Sequence, residues 1–142
     1  MQIKECKKGE AYIDTVVTVL LSLIVLALSI SMFLFMCRYQ QINDAASDAV
    51  KYAAIIGEAN TPAVNQKTDN LLAVNGVDTA STSYTYKTSS ITNKSEGGNV
   101  QYGDTILLEI DSNIRISFSN SDGFITIPVK ITKTAVSQKY YK

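Results

Sequence analysis

Histidine is absent from this chain of 142 residues, and only two cysteines and two prolines are present. The lack of histidine removes the usual general base, the commonest metal ligand and the Ser-His and Cys-His nucleophile pairs. Phosphate-binding loops, dinucleotide-binding glycine motifs and Cys-x-x-Cys pairs are missing as well. We therefore expect a protein that is not an enzyme and that uses neither a metal nor a cofactor.

Charge is scarce and balanced, since charged residues make up 18% of the chain and the formal net charge at pH 7 is +0. No basic face is present that would attract nucleic acid, so we expect no nucleic-acid partner. Two carboxylate pairs, Glu109 with Asp111 and Asp44 with Asp48, have strand and helix spacing on polar faces. Both pairs are expected to be solvated charges rather than catalytic groups.

The longest segment without charge covers residues 15–37, and its 23 residues would extend roughly 35 Å as a helix. This length slightly exceeds the hydrocarbon core of a bilayer. A buried core helix rarely runs so far without a charge, and the apolar core of a secretory signal peptide has only about 7 to 15 residues. A lipoprotein anchor at Cys37 would need a small preceding residue, but Met36 is bulky. Residues 10–37 are therefore predicted to form a transmembrane helix.

Residues 1–9 form a short basic leader before this helix. The leader carries three lysines, Lys4, Lys7 and Lys8. Only Arg38 and then Lys51 lie near the far end, so the positive-inside rule predicts a cytoplasmic amino terminus. Residues 38–142 then form one small extracytoplasmic domain, because about a hundred residues leave no room for two. The chain is predicted to be a single-pass protein of the cell membrane or, once assembled, part of an extracellular filament.

The helical pattern continues beyond the apolar segment. Apolar residues recur there at intervals of three and four, with polar residues on the other side, and form a stripe: Ile42, Ala45, Ala46, Ala49, Val50, Ala53 and Ile56. Gly57 is a plausible terminator, and no proline interrupts residues 10–57, so one rod about 70 Å long is predicted. Thr61 as a cap and Pro62 in the first turn predict a second helix over residues 62–74.

Beyond Asn75-Gly76 the pattern alternates with a period of two, which is typical of strands, and strands are predicted within residues 82–138. Residues 120–123 indicate a turn. Residues 111–113 are either a bend within one long strand or a turn between two strands, and both alternatives stay open. Pro128 cannot donate a ladder hydrogen bond, so its strand is expected at an edge.

These elements predict an α+β fold in which a small antiparallel sheet packs on the second half of the long helix. The apolar face of the sheet needs a cover, and the helical stripe supplies it. The expected contact joins two groups, Ala49, Ala53 and Ile56 of the helix with Leu108, Ile127 and Val129 of the sheet.

The junction of leader and helix combines Lys7-Lys8-Gly9 with a carboxylate five residues later, Asp14. This junction, the long apolar helix and the small strand-rich domain together resemble a type IV pilin or pseudopilin. The resemblance is closest to TadE-like proteins of Gram-positive conjugative or tight-adherence systems. It implies that a membrane prepilin peptidase cuts between Gly9 and Glu10. It also implies that an assembly machine, driven by a cytoplasmic ATPase, joins the subunit to other pilin-like subunits, identical or different.

Asp14 occupies the position at which the resemblance implies a glutamate that registers the subunit during assembly. A charge at the edge of a membrane segment is costly unless it is paired, and the amine that cleavage creates at Glu10 is a natural partner. The alternative is an interfacial Asp14 that merely reaches the lipid headgroups.

Four small hydroxyl residues fall on one narrow face of the predicted span: Thr15, Thr18, Ser22 and Ser29. Small side chains allow a neighbouring helix to approach closely, so this face is a candidate for helix packing. The alternative is that the hydroxyls only bond to preceding carbonyl groups of their own helix.

The sequence therefore favours a membrane-anchored, pilin-like structural subunit. The alternative is an uncleaved bitopic accessory or adaptor protein of a secretion or conjugation system that never polymerises. A membrane-tethered hydrolase is disfavoured because no nucleophile can be paired with a base.

Overall fold

The computed structural model describes the backbone of residues 3–89, 99–117 and 124–140, and the side chains of residues 12–89, 99–116 and 125–140. The first element, α1, is a single helix of 54 residues, Ile3–Ile56. It begins within the leader, before the expected start at residue 10. The leader contains no proline, and its lysines and glutamate are good helix formers. The one glycine inside it, Gly9, costs only about 1 kcal/mol in a helix interior.

The carboxyl end of α1 lies where the sequence predicts it. Gly57 has a positive φ of 70°, and its N–H donates to the carbonyl oxygen of Ala53 at 2.8 Å. A left-handed residue in this place ends a helix and turns the chain away from the helix axis. The predicted terminator at Gly57 is therefore confirmed.

The second helix, α2, spans Pro62–Val74, as the sequence predicts. Thr61 precedes it in an extended conformation, and its hydroxyl accepts a hydrogen bond from the N–H of Val64 at 3.4 Å. Proline fits the first turn because that position has no intrahelical use for an N–H. The face of α2 that turns toward the core is formed by Val64, Thr68 and Leu72, which are all buried.

A short 3₁₀ turn, Thr79–Ser81, leads into a three-stranded antiparallel sheet with the order β1, β2, β3. The strands are β1, Thr82–Thr88, β2, Thr105–Ser117, and β3, Phe124–Val136. Residues 111–113 lie within β2, which is one continuous strand, and Ser112 pairs with Thr82 on one side and Val129 on the other. Pro128 lies on β3 at an edge of the sheet, as predicted. The predicted turn at residues 120–123 lies outside the described residues.

The core lies between the sheet and the second half of α1. Ala49 and Ala53 are 1% and 0% exposed, and Leu108 of β2 is 0% exposed. Ile56, Ile127 and Val129 are half-buried, and the last two pack against the core. Alanine at the contact lets the helix backbone lie close to the sheet. The predicted α+β fold is confirmed, and Ala49, Ala53 and Leu108 belong to the predicted docking face, whereas Ile56 is only half-buried and is not part of the packed core.

The β2–β3 hairpin extends beyond the end of β1 and follows α1 toward the apolar segment. Ile114 and Ile116 of this extension are buried in the same core as Ile42. Phe35, which belongs to the charge-free segment, also packs against that core, and Ser31 is buried. Contact between the sheet domain and α1 therefore already begins in the last turns of the apolar segment.

Candidate functional site

The apolar half of α1 is bare over more than five turns. Its most apolar window has a mean hydropathy of 2.7, and none of that window is buried within the protein. Leu23 and Phe33, for example, are 61% and 67% exposed. Among the described residues, this is the one helix long and apolar enough to cross a membrane. Such a surface needs lipid or neighbouring helices as a cover, since apolar area in water is unfavourable.

Two tyrosines flank the charge-free segment, residues 15–37, on its two sides. Tyr12 is exposed at one end, and Tyr39 at the other end stacks with Phe35 at 6.4 Å between ring centroids. At 1.5 Å per residue, the helix between Tyr12 and Tyr39 is about 40 Å long, close to the thickness of a bilayer with its headgroups. Tyrosine prefers that interface on both sides of a membrane. The spacing of these two tyrosines is visible in the sequence and is the signal that identifies them there.

The predicted cleavage site, between Gly9 and Glu10, lies inside α1 and not in a separate segment before it. The structure describes the backbone of Gly9 and Glu10, which is helical, but not their side chains. A helical backbone keeps its N–H and C=O groups in intrahelical hydrogen bonds. Cleavage between Gly9 and Glu10 therefore requires local unwinding of the first turns of α1.

Asp14 lies at the start of the charge-free segment with its side chain exposed. Its carbonyl oxygen accepts a hydrogen bond from the Thr18 hydroxyl at 2.8 Å. The salt bridges found among the described residues involve Lys51, Lys87 and Lys130, and none of them includes Asp14. Pairing of Asp14 with the amine of Glu10 stays a prediction, because it needs the cleaved amino terminus.

The four hydroxyl residues of the predicted packing face are all exposed. Thr18, Ser22 and Ser29 donate to the carbonyl oxygens of residues 14, 19 and 25 at 2.8, 2.7 and 2.8 Å. These hydrogen bonds match the second of the two interpretations, in which the hydroxyls bond to carbonyl groups of their own helix. It leaves a face of small side chains with no unsatisfied polar group, which remains suited to helix packing. Thr15 begins this face.

Arg38 is the first charged residue after Asp14, and it joins α1 to the sheet domain. Its Nη1 donates to the carbonyl oxygen of Gly76 and to Oε1 of Gln41, both at 3.2 Å. Gly76 has a positive φ of 71°, and a Cβ there would lie 3.6 Å from Nη1 of Arg38. The turn after α2 is thus fastened to the helix at the base of the domain. Sequence patterns gave no signal for this contact, since it spans 38 residues.

A tyrosine pair joins α2 to β1. The hydroxyl of Tyr84 donates to Oδ1 of Asp69 at 2.9 Å, and the hydroxyls of Tyr86 and Thr68 lie 2.7 Å apart. Burial and the hydrogen bond to Asp69 raise the pKa of Tyr84 above its ordinary value, and burial raises the pKa of Tyr86. Both hydroxyls therefore stay protonated at neutral pH. They form hydrogen bonds between α2 and β1 and do not act as bases.

The outer face of the sheet carries a small charged cluster. Nζ of Lys87 donates to Oε2 of Glu109 at 2.8 Å, and Nζ of Lys130 lies 3.5 Å from the same oxygen. The hydrogen bond from Lys87, with a smaller effect of Lys130, lowers the pKa of Glu109. Glu109 is thus ionised and paired with the neighbouring strands. No group of three or more acidic, cysteine or histidine side chains placed to hold a metal ion occurs in the part of the chain that the structure describes.

One family matches most of the chain, but the match does not include the predicted cleavage motif. No curated protein is detectably similar to the chain, and neither is any solved structure. Residues 19–142 match the family described as Domain of unknown function (DUF4320). The match includes residues 19–37 of the apolar segment, the rest of α1, α2 and the sheet, whereas Gly9, Glu10 and Asp14 precede it. The chain therefore belongs to the DUF4320 family.

Proposed function

We propose that this protein is a membrane-anchored, pilin-like structural subunit. A prepilin peptidase cuts it after Gly9, and it assembles with other pilin-like subunits into a pilus or a secretion or conjugation apparatus. The observation that carries the proposal is α1, one helix of 54 residues that is bare in its first half and covered by the sheet domain in its second half. The bare half is suited to lateral contact with equivalent helices, and the covered half holds the domain at a fixed distance from them.

The proposal includes an orientation. The leader lysines hold the amino terminus in the cytoplasm, and the sheet domain faces outward. Packing holds this domain on α1, since Ala49 and Ala53 are buried, and the Lys87–Glu109 ion pair lies on the outer face of the sheet. In this arrangement Asp14 lies near the cytoplasmic edge of the hydrocarbon core, close to the new amine.

Substitution of Asp14 tests the proposed assembly step, because its pairing with the amine of Glu10 is possible only after cleavage. Asp14→Asn should be cut normally but should enter assemblies poorly, since it removes one partner of a buried pair. Such a loss typically costs about 3 to 5 kcal/mol, which corresponds to roughly two orders of magnitude or more in incorporation. Asp14→Glu should be mild. The measurement is the fraction of the protein found in sheared surface fractions, with cleavage scored on the same cells.

Asp44→Asn is the matched control, because Asp44 is an exposed carboxylate on the same helix beyond the apolar segment. It should assemble like the wild type. Normal assembly of Asp14→Asn would remove Asp14 from the mechanism. Equal loss in Asp14→Asn and Asp44→Asn would show that any charge change on α1 disturbs assembly, and it would also argue against a specific role for Asp14.

One observation favours the second candidate, an uncleaved bitopic accessory or adaptor protein of a secretion or conjugation system. The helix continues through Gly9 and Glu10 without a break, so the backbone at the cleavage site is not presented in an extended form. An adaptor that keeps its leader would have the same membrane span and the same outer domain. The two candidates differ in the mass of the native protein and in its ability to polymerise.

A further inference from the structure

The sheet domain begins to cover α1 at one definite position. Every described side chain from residue 12 to residue 30 is exposed, whereas Ser31 is only 9% exposed. Phe35, one turn further on, packs against the core of the domain. The fully bare part of the helix therefore ends before the charge-free segment, residues 15–37, comes to its end.

The bare part of α1, residues 12–30, has the length of a hydrocarbon core. At 1.5 Å per residue it extends about 28 Å, and the hydrocarbon core of a bilayer is about 30 Å thick. The headgroup layer on each side adds roughly 5 to 8 Å, which corresponds to about five residues of a helix. With residues 12–30 in hydrocarbon, residues 31–35 lie at the level of the headgroups.

The part of the β2–β3 hairpin beyond β1, which we name the hairpin extension, comprises residues 113–117 and 124–128. Its direction along α1 is fixed from the other end of the hairpin, where the N–H of Gln138 donates to the carbonyl oxygen of Ala54 at 2.9 Å. From there the hairpin runs back along α1 toward the apolar segment. The extension is two-stranded, since β1 pairs with β2 no further than Ser112.

The end of the hairpin extension reaches the headgroup level of α1. Ile114 of the extension lines one small cleft together with side chains from the turn of α1 at residues 38–42. Ile116 lies about 7 Å beyond Ile114 along the strand, and α1 covers that distance in about five residues. Ile116 and its ladder partner Ile125 therefore lie at the level of Phe35.

The hairpin extension continues the apolar surface of α1 at this level. Ile125 is 54% exposed, although it lies on the same face of β3 as Ile127 and Val129, which pack against the core. Leu34 and Met36 of α1 are 49% and 48% exposed. Apolar area in water is unfavourable. The lipid that covers the helix at this level therefore reaches Ile125 as well.

Two features limit how deeply the hairpin extension can enter a bilayer. Arg115, the one charged residue described in it, is exposed on the face opposite Ile116. A cationic side chain is costly in hydrocarbon, whereas it is well accommodated among headgroups. The unpaired edges of the two strands also need partners for their N–H and C=O groups, which hydrocarbon does not supply. The extension is therefore suited to the headgroup layer and excluded from the hydrocarbon core.

We propose that the end of the hairpin extension lies in the headgroup layer of the bilayer, with Ile125 as its apolar contact, and that the hydrocarbon core covers residues 12–30 of α1. The partner is a phospholipid surface, and the contact holds the sheet domain at one angle to the membrane in addition to the covalent link through α1. The inference rests on the membrane placement in the proposed function. It is independent of cleavage and polymerisation, and of the side of the membrane on which the domain lies.

The chain contains no tryptophan, so a single introduced indole reports its own surroundings. Full-length Ile125→Trp is placed, as a single copy per disc, in phosphatidylcholine nanodiscs that carry bromine on the acyl chains as a quencher. It should lose most of its emission, and bromine near the carboxyl end of the chains should quench more than bromine near the methyl end. Val136→Trp is the matched control, since Val136 is 52% exposed on the same strand but about 36 Å further along it. It should keep its emission.

Two probes in α1 locate the hydrocarbon core independently of the hairpin. Residue 21 is the middle of residues 12–30, whereas residue 26 is the middle of residues 15–37. Leu21 and Leu26 are 56% and 58% exposed, so tryptophan at either position faces the lipid. Bromine near the methyl end should quench Leu21→Trp more strongly than Leu26→Trp. The reverse order would place the hydrocarbon core over residues 15–37 and overturn the proposal.

Thr126→Trp supplies a second probe at the level of Ile125, because Thr126 is the exposed next residue of β3. It should also be quenched, and circular dichroism checks that each variant melts like the wild type. Full emission from Ile125→Trp and Thr126→Trp would overturn the proposal, and so would equal quenching of Val136→Trp. A blue-shifted but unquenched Ile125→Trp would mean that protein and not lipid covers the site. Full emission from both α1 probes would instead contradict the membrane placement, so the two failures are distinguishable.

Discussion

Tyr84 shows how one side chain couples the stability of the domain to pH. Burial and the hydrogen bond to Asp69 raise its pKa in the folded state, so the folded protein holds this proton more tightly than the unfolded chain. The stabilising effect is present below the unfolded tyrosine pKa of about 10 and is lost as the pH rises above that value. The Tyr84 hydroxyl thus stabilises the folded domain at neutral pH, and its deprotonation lowers the free energy of unfolding at alkaline pH.

Tyr84→Phe isolates this effect. At neutral pH the variant should lose about 1 kcal/mol of unfolding free energy, because the hydrogen bond to Asp69 is gone. Between neutral pH and about pH 11 the wild type should lose more stability than the variant, so the gap between them should narrow. Denaturant titrations of both proteins in detergent at the two pH values measure this. A gap that stays constant would exclude Tyr84 as the source of alkaline sensitivity.

The contact between α1 and the sheet can be tested with two substitutions on opposite sides of one turn of the helix. Ala53 is fully buried against the sheet, whereas Ile55 is 63% exposed. Ala53→Asp places an unpaired charge in a packed interface and should cost several kcal/mol. The melting temperature should fall by more than about 10 °C, or the domain should not fold. Ile55→Asp should change it little.

Melting temperatures of the two variants would be compared in detergent, with helix content at low temperature as a check on folding. An unchanged melting temperature in Ala53→Asp would mean that the docking face is wrongly assigned. Equal destabilisation by Ile55→Asp would mean that the cost comes from charge on the helix and not from the interface.

The helices were predictable from the sequence because their signals are local. Thr61 and Pro62 set the start of α2. Gly57 ends α1 because glycine readily adopts the positive φ found at that position. The start of α1 was predicted at residue 10 because the leader was treated as a separate segment. Nothing in its composition stops a helix, so α1 begins at Ile3.

The course of β2 could not be decided locally. Residues 111–113, Asp-Ser-Asn, are turn-forming types, yet β2 runs through them as a strand. Asp111 and Ser112 pair with strands on both sides, Asn113 pairs with β3, and the hydroxyls of Ser112 and Thr82 lie 2.8 Å apart; together these contacts outweigh the local preference. The registration residue Asp14 was named from the sequence alone, and its role stays a prediction.

For the chain as a whole, the first expectation concerns its orientation in the membrane. With Cys6 and Cys37 replaced by serine, Ala63→Cys on the exposed side of α2 should react with a membrane-impermeant maleimide on intact cells. Gln2→Cys in the leader should react only after the membrane is permeabilised, if the leader is still present. Labelling of Gln2→Cys but not of Ala63→Cys on intact cells would invert the topology.

The proposed subunit depends on removal of the leader, and the mass of the native protein reveals that step. The intact mass would be determined for the protein isolated from cell membranes and from sheared surface fractions. We expect a mature chain that starts at Glu10, shorter by the nine residues of the leader. Gly9→Leu, which fills a peptidase pocket shaped for glycine, should keep the leader and stay in the membrane. A native protein that retains Met1 to Gly9, or normal assembly of uncleaved Gly9→Leu, would contradict the pilin-like function and leave a simple membrane anchor.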